Sequence, residues 1–160
     1  MAESHEEVLA AYAEAAGLDT APDLPPAAEA LGIKFTDYEP KKHLFAVFPA
    51  EPRWAGFGGA IEPGCIAMAS CLTAGMLAEL LAKKPCLQLT SDAMSVKSLT
   101  ADGRWILLEA RLKATRGSVI FCEVTIKDAD AKLAGRVTCE FAARKTSKSA
   151  KANAAEDAES

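Results

Sequence analysis

The stretch PGCIAMASCLTAGMLAELLA, Pro63–Ala82, decides the fold. It holds no proline after its first residue, and Cys65, Ile66, Ala67, Met68, Ala69, Leu72, Met76, Leu77 and Leu80 leave it without a clear polar face. A helix that is apolar on all sides is a buried one. Pro63 suits the first helical turn, Glu62 before it favours the positive end of the helix dipole, and Lys83 and Lys84 favour the negative end. Twenty residues at about 1.5 Å each span about 30 Å, enough to cross a small domain.

On either side of this helix the sequence changes period. Before it, Ile33–Tyr38 and His43–Phe48 are short runs of aromatic and β-branched residues around Glu39-Pro40-Lys41-Lys42, which reads as the turn of a hairpin. A glycine-rich approach follows, Trp54-Ala55-Gly56-Phe57-Gly58-Gly59-Ala60, and chain that bends so freely often lines a site. After it, Cys86–Lys97, Arg104–Thr115, Val119–Lys127 and Lys132–Ala143 read as strands. The turn signals Ala101-Asp102-Gly103, Arg116-Gly117-Ser118 and Asp128-Ala129-Asp130 separate them, which predicts an antiparallel meander. The expected fold class is therefore α+β, with a long central helix wrapped by a curved antiparallel sheet of about five to six strands. The back of the helix needs cover, and a second subunit is the usual supplier, so a homodimer or homotetramer is expected.

The ends of the chain read differently. Glu3–Ala16 sets Val8, Leu9, Tyr12 and Ala16 among acids at helical spacing with Gly17 as a stop, and Thr20–Pro26 holds three prolines. Residues 1–26 are thus expected to be an N-terminal helix and linker, and 27–144 the wrapped-helix domain. Residues 145–160 lack any large apolar side chain and are expected to be a disordered tail. At 160 residues, half of them hydrophobic, the chain can bury one sizeable core.

A net charge of −4 with both signs mixed offers no nucleic-acid surface. No charge-free apolar run reaches membrane-spanning length, and the start MAESHEEVLA lacks the pattern of a signal peptide. The five cysteines Cys65, Cys71, Cys86, Cys122 and Cys139 form no CxxC pair and have no histidine nearby. They read as buried free thiols in a cytoplasmic protein, with no metal site.

From about Leu31 to Ala143 the chain resembles the PaaI-like acyl-CoA thioesterases of the hotdog superfamily. The resemblance rests on the element order, on Gly56-Phe57-Gly58-Gly59-Ala60-Ile61 leading into the central helix, and on Arg116-Gly117-Ser118 at a later turn. Members of that family commonly carry an Asn in the approach loop, His-Gly-Gly or Gln-Gly-Gly at the helix entrance, and an Asp or Glu well inside the helix. Matched to that pattern, Gly56 stands for the Asn, Glu62 for the His or Gln, Gly64 for the second glycine and Cys71 for the helix carboxylate. Pro63 takes the place of the backbone donor that polarises the thioester carbonyl, and proline has no N–H. Such a donor contributes about 3 to 4 kcal/mol in other hydrolases.

The resemblance implies an acyl or aryl-CoA thioester as substrate or ligand, bound at a subunit interface, with no further cofactor. Glu62 is the candidate general base, the alternative being a dipole-stabilising acid. Cys71 is the candidate nucleophile, the alternative being a small buried side chain. Gly58, Gly59 and Gly64 would shape the site, Gln88 and Asp92 line its tunnel, and Arg116, with Arg104 and Lys113 near it, meet the phosphates of CoA. Two readings stay open, a thioesterase with an altered site and a non-catalytic acyl-binding or interaction protein. A dehydratase would want a His and Asp pair near the helix start, which is absent.

Overall fold

A computed structural model describes residues 4–21, 23–39, 41–95 and 97–143, so the tail and Pro40 of the expected hairpin turn lie outside the described residues. The elements run α1 (His5–Ala16), α2 (Pro26–Leu31), β1 (Lys34–Glu39), β2 (His43–Pro49), α3 (Pro63–Ala82), β3 (Cys86–Ser95), β4 (Trp105–Arg116), β5 (Val119–Lys127) and β6 (Leu133–Ala143). The strands form one antiparallel sheet in the order β1-β2-β4-β5-β6-β3.

The core lies between α3 and one face of this sheet. Alternate residues point inward: Leu44, Ala46 and Phe48 from β2, Ile106, Leu108 and Ala110 from β4, Ile120, Cys122, Val124 and Ile126 from β5, and Val137, Cys139 and Phe141 from β6. Opposite them α3 buries Leu77 together with Ala69, Ala74 and Ala78, whose small side chains let the helix sit close against the sheet. Its two buried hydroxyls are satisfied within the helix, Ser70 donating to the Ile66 carbonyl and Thr73 to that of Ala69, both at 2.8 Å. The helix is long and apolar enough to cross a membrane, yet here it is the core helix, packed on five of the six strands.

Four consecutive strands do not form the expected meander. Only β4, β5 and β6 follow one another, while β3 lies at the far edge beyond β6. The cause is α3, which crosses the sheet and delivers the chain to that edge. The return segment to β4 is therefore a long connection, and it is tied to the glycine-rich approach. Ile61 N–H donates to Leu99 O at 2.7 Å, Ala101 N–H donates to Gly59 O at 3.1 Å, and Ala60 bridges Thr100.

The N-terminal segment packs on the same unit. Ser4 and Glu7 form a reciprocal capping box for α1, and Gly17 ends it in the left-handed region. Phe35 N–H donates to His5 Nδ1 at 3.1 Å, which ties α1 to β1. The last residue of the expected linker, Pro26, opens the short helix α2, which Gly32 ends. Gly32 has φ +69°, and a Cβ there would meet the Pro49 ring at 3.0 Å.

Candidate functional site

Cys71 lies in the third turn of α3 and projects between that helix and the sheet edge. Its Sγ is 3.8 Å from Cys139 Sγ on β6, and Gln88 Nε2 on β3 donates to it at 3.5 Å. Ser91, also on β3, adds a further hydrogen bond. A bulge between Gln88 and Thr90 makes this pairing possible, because the extra residue lets both Gln88 and Ser91 face the helix.

The hydrogen bond from Cys139 holds the Cys71 thiol well below the usual thiol range, aided by Ser91 and Gln88 and against the effect of burial. The proton stays with Cys139, whose own pKa is pushed far up by that same bond and by burial. Cys71 therefore does not have the inert apolar surroundings that its sequence neighbours suggest. Its activating donors come from strands distant in sequence, so local reading had no signal for them. Cys65, Cys71 and Cys86 are also only half-buried, against the expectation of five buried thiols, because they sit on the side of α3 away from the sheet centre or at its edge strand.

Cys71 opens on an apolar groove of about 300 Å³ between α3, α2 and the end of β3, walled by Met68, Leu72, Met76, Pro25 and Phe141. At its far end stands Glu79, which the sequence reading passed over although it is the one charged residue of α3. Glu79 accepts from Cys86 N–H at 3.1 Å and hydrogen-bonds Tyr12, whose phenol is raised to about 12, first by burial and then by this carboxylate. Its oxygens are thus held by structural partners.

Glu62 is the N-cap of α3 and makes no side-chain cap bond. Its carboxylate lies over Gly56, where a Cβ would come within 1.6 Å of Oε1, so the Gly56 backbone is the floor on which this side chain rests. Its N–H donates to Trp54 O at 2.8 Å. Glu62 and Cys71 are nine residues apart, about 13 Å along the helix axis, so a single chain does not bring both to one reacting carbon. Pro63 follows at the first helical position without an N–H.

The remaining candidates are dispersed. Gly58 (φ +79°) and Gly59 (φ +76°) form an exposed turn, and Gly64 is exposed at the helix start. Trp54 packs partly into the core, whereas Phe57 stands fully in solvent. Asp92 follows Ser91 on an alternating strand and is exposed, which turns it to the face opposite Cys71. Arg104 is held by Asp102 at 2.8 Å and Asp130 at 3.5 Å, and Lys113 by Glu123 at 3.4 Å. Arg116 lies 5.6 Å over the Phe121 ring.

A long apolar helix wrapped by a six-stranded antiparallel sheet is the hotdog fold. No family model and no curated protein matches the chain, but 226 solved chains share its architecture. Its structural neighbours include PaaI-like thioesterases. A thioesterase from Haemophilus influenzae superposes with a TM-score of 0.71 at 14% identity, over 77% of this chain and 85% of that one. The Escherichia coli PaaI protein from the phenylacetic acid degradation operon gives 0.70 at 9% identity, over 76% and 86%. The phenylacetic acid degradation protein PaaI from Thermus thermophilus, as a point mutant, gives 0.69 at 16% identity, over 75% and 100%.

Proposed function

We propose that this protein is an acyl-CoA thioesterase of the hotdog type that binds an acyl or aryl thioester at an interface between two copies of itself. The observation that carries the reading is Cys71, an accessible thiol with three hydrogen-bond partners, on the wall of an apolar groove. It stands at the helix position where the resemblance expects a carboxylate. In this reaction Cys71 S⁻ attacks the thioester carbonyl, the acyl–CoA C–S bond breaks, and CoA leaves as a thiolate that takes a proton from solvent. Water then cleaves the acyl–Cys71 bond to give the free acid and restore the thiol. Gln88 orients the sulfur, Gly58, Gly59 and Gly64 leave room at the helix start, and Arg116 meets the CoA phosphates. Asp92 belongs to the outer wall, which a second copy would complete. Glu62, about 13 Å from Cys71 in its own chain, acts as a base only when a second copy supplies it. The chemistry calls for no metal or redox cofactor, and a reducing cytoplasm suits five free cysteines.

The second copy is supported by β3. It pairs with β6 on one side only, and Leu87, Leu89 and Met94 are 53%, 48% and 58% exposed along it, an apolar edge that a monomer would leave open to aggregation.

One observation favours a rival reading, an acyl-binding protein without turnover: Pro63 removes the backbone donor at the helix start. Chromatographic assay of short, medium, long and aromatic acyl-CoAs separates the two, with Glu62→Gln and Cys71→Ala as controls. Turnover lost in Cys71→Ala supports the proposed reaction. No turnover with any ester, together with a higher melting temperature in their presence, replaces it with the binding protein.

A further inference from the structure

The contact between Cys71 and Cys139 has a geometry that thioester chemistry does not require. One thiol lines a groove open to small molecules, and the other lies directly behind it, buried, at Sγ···Sγ 3.8 Å. The front sulfur is stabilised as thiolate by donors from β3 and β6, while the rear sulfur keeps its proton. A disulfide needs the two sulfurs at about 2.05 Å, so they must close by a little under 2 Å. Cys122 sits directly across from Cys139 in the β5–β6 register, but it is buried, and that burial pushes its thiol up to about 12.

We infer that Cys71 and Cys139 form a peroxide-reactive thiol pair that closes to an intramolecular disulfide joining α3 to β6. Cys71 S⁻ attacks one oxygen of hydrogen peroxide and the O–O bond breaks, giving Cys71–SOH and hydroxide, which takes a proton to become water. The Cys139 sulfur then attacks the Cys71 sulfur, the S–O bond breaks, and the hydroxyl leaves as water with the Cys139 proton. Peroxide is reduced and the two thiols are oxidised by two electrons; a dithiol reductant reverses the step. The inference rests on the thiol geometry and not on the thioesterase reading. Where that reading holds, the disulfide removes the reactive sulfur from the groove and stops turnover.

The test is stoichiometric hydrogen peroxide on the reduced full chain, followed by alkylation in denaturant and peptide mapping. The expected result is the loss of two of the five thiols, with Cys71 joined to Cys139 within one chain, and their recovery with dithiothreitol. In Cys139→Ser, Cys71 should instead accumulate sulfenic acid that dimedone traps. A Cys122–Cys139 bond, a bond between chains, or peroxide-resistant thiols in the folded wild type would overturn the inference. Acyl-CoA turnover, measured on the same reduced sample, reports on the thioesterase reading separately.

Discussion

At the scale of single residues, the five cysteines are chemically unequal although the sequence presents them alike. Burial and the nearby Glu79 carboxylate push the Cys86 thiol up to about 11, and burial pushes Cys122 up to about 12. Cys71 moves the other way. A lowered pKa means that thiolate persists as pH falls below the ordinary thiol range of about 8.5, whereas a raised one means that it is already scarce there. Iodoacetamide at pH 7 should therefore label Cys71 at least tenfold faster than Cys86 or Cys122, as read by peptide mass spectrometry. Equal rates would remove the activated thiol. Gly56 is a second residue with a specific consequence. Gly56→Ala forces the Glu62 carboxylate to swing off the backbone, but the obstacle is the end of a flexible side chain. Stability should change by less than about 1 kcal/mol in thermal melts. Turnover should fall if Glu62 takes part in it.

Among elements, α3 carries most of the architecture. Leu77 is fully buried at the centre of its sheet-facing side, so Leu77→Ala should cost about 2 to 5 kcal/mol in denaturant unfolding. By contrast, α1 lies outside the sheet and is held by the buried Val8, by Tyr12 against Glu79 and by the bond from Phe35 N–H to His5, while its first turn is closed locally by the capping box. Ser4→Ala should cost about 1 kcal/mol and appear as faster amide exchange in α1 with the sheet unchanged. Strand β3 has its inner face on the Cys71 thiol and its outer face and edge in solvent. One short segment thus joins the candidate site to the proposed interface.

For the whole molecule, the open β3 edge predicts a mass of two chains, or a multiple of it, in sedimentation at micromolar concentration. The double variant Leu87→Glu, Met94→Glu changes only exposed side chains, so it should stay folded and shift to monomer. A wild-type monomer at that concentration would sink the interface reading. Glu62 and Cys71 are separated along one helix, so monomerisation is also expected to separate any joint action of the two.

The sequence by itself determined the wrapped-helix architecture. The apolar run Pro63–Ala82 has no polar face, the later strands alternate with period two, and Gly17 and Pro63 mark helix ends by local backbone chemistry. Such signals are carried by residues close in sequence, which is why they can be read without coordinates. The tertiary structure alone decided that β3 stands beyond β6 and not beside β4, because strand order depends on where α3 delivers the chain. It also decided the character of Cys71. The sulfur's partners Gln88, Ser91 and Cys139 lie 17, 20 and 68 residues away and meet it only through a bulge and a helix-on-sheet contact. A pKa follows the charges and donors around a group in space, and spacing along the chain does not specify those.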